Sequence, residues 1–243
     1  IGNKLSRVPT TFYNSSARVS LFDSDIRKLI HVPGLRGYPK RNYKITGIGS
    51  TFPGTFENYV ASIINLWQKT EDSRLIELWK AMEFLGLTSK VVAQKLNDIE
   101  IELLVSDLPG KGGENHLISI ADVGFGLSQI LPVIVALIAA EPGQLVYLEQ
   151  PEIHLHPRAR EALAELLVNA ANRGVRLVVE THSEFLLLAV QSLVAEGKLS
   201  PEKVQLHWFT KTEDGTTKIS KGNLDKAGAY GDWPEDFSTL SLN

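Results

Sequence analysis

The chain has 243 residues, 43% of them hydrophobic, and a formal net charge of -3, which is enough to bury a sizeable core in one large or two small domains. That charge gives no global attraction to nucleic acid or membrane, and the absence of cysteine excludes disulfides and thiolate zinc sites. No signal peptide is visible and the longest apolar run, Ile130 to Ala140, is too short to span a bilayer, so a cytoplasmic protein is expected.

Residues 1 to 50 are rich in Gly, Pro, Ser and Asn and sustain no helical or strand period, which predicts an irregular segment with one short element near Val19 to Ile30. Its basic cluster, Arg36, Lys40, Arg41 and Lys44, reads as a solvated, turn-rich surface or as a phosphate contact. A helical segment is expected over 51–95. Phe56, Tyr59, Val60, Ile63, Ile64 and Trp67 recur at spacings of three and four, as do Leu75, Leu78, Trp79, Met82 and Leu85 after a break at Thr70. Thr70 reads as the start of the second helix and Gly86 as its stop.

The remainder, 96–222, predicts an α/β core. Ile99 to Ser106 and His116 to Ile120 alternate as a hairpin about a Pro109 to Gly113 turn. Gly124 and Gly126 precede a helix expected from about Ser128 to Ala140, with Ser128 as cap and Pro132 tolerated near the first turn. Leu145 to Leu148 is an apolar run suited to a strand buried on both faces, ending abruptly in Glu149, Gln150, Pro151 and Glu152. Arg158 to Arg173 is a periodic helix stopped by Gly174. Arg176 to Glu180 is a second buried strand ending in Thr181, His182 and Ser183, and a helix to Glu196 and a hairpin about Glu213-Asp214-Gly215 follow. Strand, helix, strand, helix, strand is the order of a mostly parallel sheet with crossovers. Residues 223–243 form a tail without an assigned role.

Three polar segments thus fall at ends of apolar elements, where ligands of open α/β sheets bind. Glycines 124 and 126 let backbone approach a ligand, and the helix after them offers free N–H groups. Glu149 could hold a cation beside a phosphate, because Mg²⁺ keeps most of its waters and needs only one or two carboxylates. His182 closes the third segment.

In this order the segments LEQPEIHLHP and ETHS resemble the ABC-type P-loop ATPases of the SMC, RecF and OLD-like branch. The resemblance implies an ATP and Mg²⁺ site in which Glu149 takes the place of the Walker B metal acid. Gln150 stands where the catalytic carboxylate would be, and His182 where the switch histidine meets the γ-phosphate. Gly124, Gly126, Ser128 and Gln129 take the place of the signature motif that completes a partner's nucleotide site. It also implies a homodimer that closes on ATP, with His154, His156 and Pro157 at the interface, coupled to DNA or an effector protein in DNA repair or defence against mobile DNA.

Two departures stand out. Gln150 cannot accept a proton, so hydrolysis is expected to be slow unless Glu152 or His182 substitutes. No GxxxxGK[ST] phosphate loop occurs. With Ile1 rather than Met at the start and Met82 the only methionine, this predicts a preceding lobe outside the sequence and an inactive fragment without it. Two other readings remain: an ATPase-like interaction module without catalysis, and a metal site of Glu152, His154 and His156 on an extended segment.

Overall fold

The computed structural model describes residues 26–106 and 116–230. Three strands form a parallel sheet in the order β1 (Ile30–Val32), β6 (Leu145–Glu149), β7 (Arg176–Glu180). Leu145 lies opposite Arg176 and Glu149 opposite Glu180, while Ile30 lies opposite Val146. The register puts Ile30, Val32, Val146 and Leu148 on one face, each 0% exposed.

That inner face rests on helix α3 (Phe125–Ala139), which contacts β1 and β6. Ten consecutive or near-consecutive residues from Leu127 to Leu137, Ser128 excepted, are buried, as expected of a helix apolar all round. Helices α4 (Pro157–Asn172) and α5 (Glu184–Ala195) pack on each other and supply the crossover before β7 and the return after it. Pro157 opens α4 where its missing N–H costs nothing, and Gly174, at φ 93°, ends the turn after it.

The opposite face of the sheet carries the cross-strand row His31, Tyr147 and Val178. It is open to solvent: the His31 side chain is 40% exposed and Val178 is 50% exposed. The outer edge of β7 has no strand partner among the described residues. The expected burial of these strands on both faces is therefore corrected: only Val146 and Leu148 of β6, and no residue of β7, are buried, because one face of the sheet carries no covering element among the described residues.

Helices α1 (Glu57–Lys69) and α2 (Ser73–Phe84) supply the other wall of the core through Phe56, Ile64, Trp67, Leu78 and Met82. A second, antiparallel sheet packs on α1, with β4 (Glu100–Ser106) between β2 (Tyr43–Lys44) and β3 (Val91–Lys95), and β5 (Leu117–Ser119) also paired to β4. The hairpin expected from 99–106 and 116–120 is therefore present, while its 109–113 turn lies outside the described residues. Strands β8 (Gln205–Lys211) and β9 (Thr217–Asn223) form the closing hairpin, with Gly215 at φ 83° in its turn.

Several local expectations are corrected. α2 is capped by Asp72, whose side chain accepts the Arg74 amide, rather than started at Thr70. α3 begins at Phe125, three residues before Ser128, so Pro132 lies well inside it and not near its first turn. The 51–95 segment is not all helix, because it ends in β3. The element expected near Val19 to Ile30 falls largely outside the described residues, which show β1 starting at its last residue, Ile30.

Candidate functional site

Leu148 is buried and its strand neighbour in sequence, Glu149, emerges at the carboxyl rim, with a side chain 31% exposed. There the carboxylate meets the end of β1. Oε2 accepts the Gly34 amide at 2.9 Å, and Oε1 lies 2.8 Å from His31 Nε2. The Gly34 amide, then His31, hold this carboxyl below the usual carboxylate range. His31 in turn stacks on Tyr147, rings 5.0 Å apart and 9° from parallel, and the Tyr147 hydroxyl donates to Glu180 at 3.0 Å.

After Glu149 the chain turns abruptly. Gln150 has φ 43° and His154 φ 65°, left-handed values that cost side-chain-bearing residues about 1–3 kcal/mol each and concentrate at functional sites. Gln150 also precedes Pro151, which biases it toward extended backbone. Both peptide groups of Gln150 are clamped against that bias: its amide donates to the Glu180 carbonyl at 2.8 Å, and its carbonyl accepts from Arg36 Nη2 at 3.1 Å and from the Ile153 amide at 3.2 Å.

The third loop joins here. Thr181 Oγ1 donates to Glu152 Oε1 at 2.5 Å and accepts the Ser183 amide at 3.0 Å, and Ser183 then caps α5 by accepting the Leu186 amide. His182, between them, is exposed at the same rim. The start of α3 closes the arrangement from the other side. Phe125 meets the His154 ring edge-on at 4.8 Å, and a Cβ on Gly126 would lie 2.9 Å from the His154 carbonyl oxygen. Gly124, the residue before α3, carries no side chain to cap its free amides.

The structure therefore sets Glu149 and Gln150 beside the 181–183 loop through the pairing of β6 with β7, and sets Gly126 against the backbone of His154. Three expected residues are placed differently. Gln129 is 2% exposed and spends its amide on the Gly37 carbonyl at 3.0 Å, so it braces α3 against the loop after β1 instead of reaching a ligand. The Ser128 hydroxyl turns back to the Phe125 carbonyl at 2.8 Å. Glu152 is 6% exposed and bound to Thr181, with Oε2 buried and lacking a protein partner, so it stands behind the rim and not on it.

The metal-site alternative fails geometrically: His154, at the centre of the Glu152 to His156 segment, is left-handed and so breaks the extended ExHxH, and among the described residues no three His, Asp or Glu converge as metal ligands. Arg36, read as part of a solvated surface or a phosphate contact, is instead 7% exposed and bonded to backbone carbonyls, and sequence reasoning missed His31 and Gly34 altogether. The available signal was the short segment Leu29-Ile30-His31-Val32, apolar but for His31, that ends in Pro33-Gly34.

A sequence profile described as "AAA domain, putative AbiEii toxin, Type IV TA system" matches residues 5–189. The chain belongs to this AAA ATPase family. Among solved structures, the Smc head bound to the C-winged helix domain of ScpA is similar at 12% identity and TM-score 0.50, covering 70% of this chain and 51% of that one. An SMC ATPase described for ATP-driven dimerization and DNA stimulated activation gives 11% identity and TM-score 0.46, over 73% of this chain and 94% of that one. The SMC head domain of Thermotoga maritima gives 13% and 0.41, over 68% and 51%. No curated protein matches significantly.

This AAA-family chain has the α/β fold of SMC head P-loop NTPases, and it spans about half the length of the Smc head chain it matches. The donor set at Glu149 fits the magnesium that accompanies ATP in such folds: an ionised carboxylate with about four lone-pair sites, two of them taken by His31 and Gly34, keeps room for a hydrated cation. No helix of the described residues is long and apolar enough to cross a membrane.

Proposed function

We propose that the rim formed by Glu149, Gln150, His182 and the start of α3 is part of a Mg²⁺-dependent ATP site, and that ATP binding draws two protomers together. The observation that carries the reading is the parallel pairing of β6 with β7, which sets Glu149 opposite Glu180 and so puts Glu149 and the 181–183 loop side by side. Glu149 would hold the hydrated cation. The exposed His182 would face the terminal phosphate, and the uncapped amides at Gly124 and Gly126 would receive phosphate oxygens from the partner protomer.

The open face of His31, Tyr147 and Val178, together with the edge of β7 that has no strand partner among the described residues, would seat a phosphate-loop lobe. Gln150 in the place of a general base makes hydrolysis slow, so the bound state outlasts chemistry. The closure would be coupled to DNA or to an effector protein, in DNA repair or in defence against mobile DNA, and of these settings the family's description as a putative toxin of a TA system favours defence.

The test is calorimetric titration of Mg²⁺-ATP into the full-length protein and into Glu149→Gln. The proposal expects binding that needs Mg²⁺ and weakens at least about tenfold in the variant. Equal affinity in both, or no binding, would sink it.

A further inference from the structure

Arg36 is the most deeply placed charge near the rim. Its guanidinium donates through Nη1 to the Pro33 carbonyl at 3.2 Å and the Glu149 carbonyl at 3.3 Å, and through Nη2 to the Gln150 carbonyl at 3.1 Å. One planar fork thus ties the carboxyl end of β1 to the last residue of β6 and to the left-handed residue after it. A lysine, with a single point of charge, cannot hold three carbonyls in that arrangement.

The surroundings are those of a fixed support. Arg36 is 7% exposed, and burial lowers its pKa while the carboxylates of Glu57, Glu152 and Glu149 oppose that shift. Its Nε, Glu57 Oε1 and Glu152 Oε2 are all buried without a protein partner. Three unsatisfied polar atoms associated with one guanidinium are the pattern that buried water fills. Gln150 meanwhile sits against its own preference, at φ 43° before a proline.

We infer that Arg36 is a positioning residue: it holds the Glu149–Gln150 peptide in its left-handed turn and thereby aims both side chains at the rim. It touches neither metal nor nucleotide and acts through the backbone of the residues that would. The inference rests on the nucleotide reading for its consequence, but not for its first readout.

Arg36→Lys and Arg36→Gln are made in the full-length protein and followed by amide hydrogen exchange without nucleotide. The amides of Gln150, Ile153 and Leu155 are bonded to backbone carbonyls, so exchange over 149–155 is expected to quicken about tenfold in both variants while α4 and α1 keep their protection. In single-turnover assays with Mg²⁺-ATP, the rate constant should fall by roughly ten- to a hundredfold with a smaller change in affinity. Exchange over 149–155 that stays wild-type in both variants overturns the inference, as does loss of protection spread equally over α1 and α4. Failure of the wild type to bind Mg²⁺-ATP overturns the nucleotide reading instead, and the exchange result then decides the role of Arg36 alone.

Discussion

His31 Nε2 lies 2.8 Å from Glu149 Oε1, although 118 residues separate them in the chain. The contact exists because β1 and β6 run parallel with His31 opposite Tyr147, one residue short of the rim. It joins the acid proposed to bind magnesium to the open face of the sheet.

His31→Phe should keep the stack on Tyr147 and remove the side-chain partner of Glu149, leaving the Gly34 amide in place. The expected outcome is a folded protein, with a melting temperature within about 2–4 °C of wild type, that requires more Mg²⁺ for ATP binding. A Mg²⁺ titration at fixed ATP measures it.

Gly126→Ala and Gly124→Ala form a matched pair. A Cβ at 126 would meet a backbone carbonyl at 2.9 Å, whereas one at 124 would meet nothing within 4 Å, on a backbone of φ −57°. The first should cost about 1–3 kcal/mol and the second should be neutral or stabilising by up to about 1 kcal/mol. Thermal unfolding of both variants checks the difference.

Gln150→Glu restores a carboxylate to a turn whose backbone is already clamped by Glu180 and Arg36. With a general base in place, phosphate release by the full-length protein should rise about 10²-fold. An unchanged rate would show that the group at 150 is not aimed at the attacking water.

Asp72 tests the stability of the α1–α2 corner. Bonds from the Arg74 side chain, then its amide, hold the Asp72 carboxyl below the usual carboxylate range. A depressed folded-state pKa adds stability that is complete above the unfolded pKa and disappears as pH falls through the folded one. Asp72→Ala should therefore lower the melting temperature at neutral pH by the equivalent of about 1 kcal/mol of capping. The gap between variant and wild type should narrow as pH falls below the usual carboxylate range, and melts at neutral and acid pH measure it.

The sequence carried the parallel sheet well because its evidence was local. The apolar runs 145–148 and 177–179 are bounded by charge and glycine, and they pair in the structure. The motif order around Glu149 and His182 was equally legible. What stayed hidden depends on contacts between distant segments. Nothing in HVPGLRG announces that Arg36 is drawn beneath Gln150, because its partners are carbonyls, which every residue has. Gln129 and Glu152 look like exposed polar residues beside a motif, and only the packing of α3 on the loop after β1, and of Glu152 on Thr181, turns them inward. The early start of α3 was missed because Gly124 and Phe125 are poor helix signals, and propensity there yields to the burial of Leu127 and Ile130.

The central claim is that a hydrated cation and phosphate lie at the rim shared by Glu149 and His182. The most direct measurement is a crystal structure of the full-length protein with Mn²⁺ and a non-hydrolysable ATP analogue, with the anomalous signal used to place the metal. The account predicts a manganese peak beside the Glu149 carboxylate and the terminal phosphate facing His182. A peak elsewhere, with nucleotide bound away from the ends of β6 and β7, would contradict it.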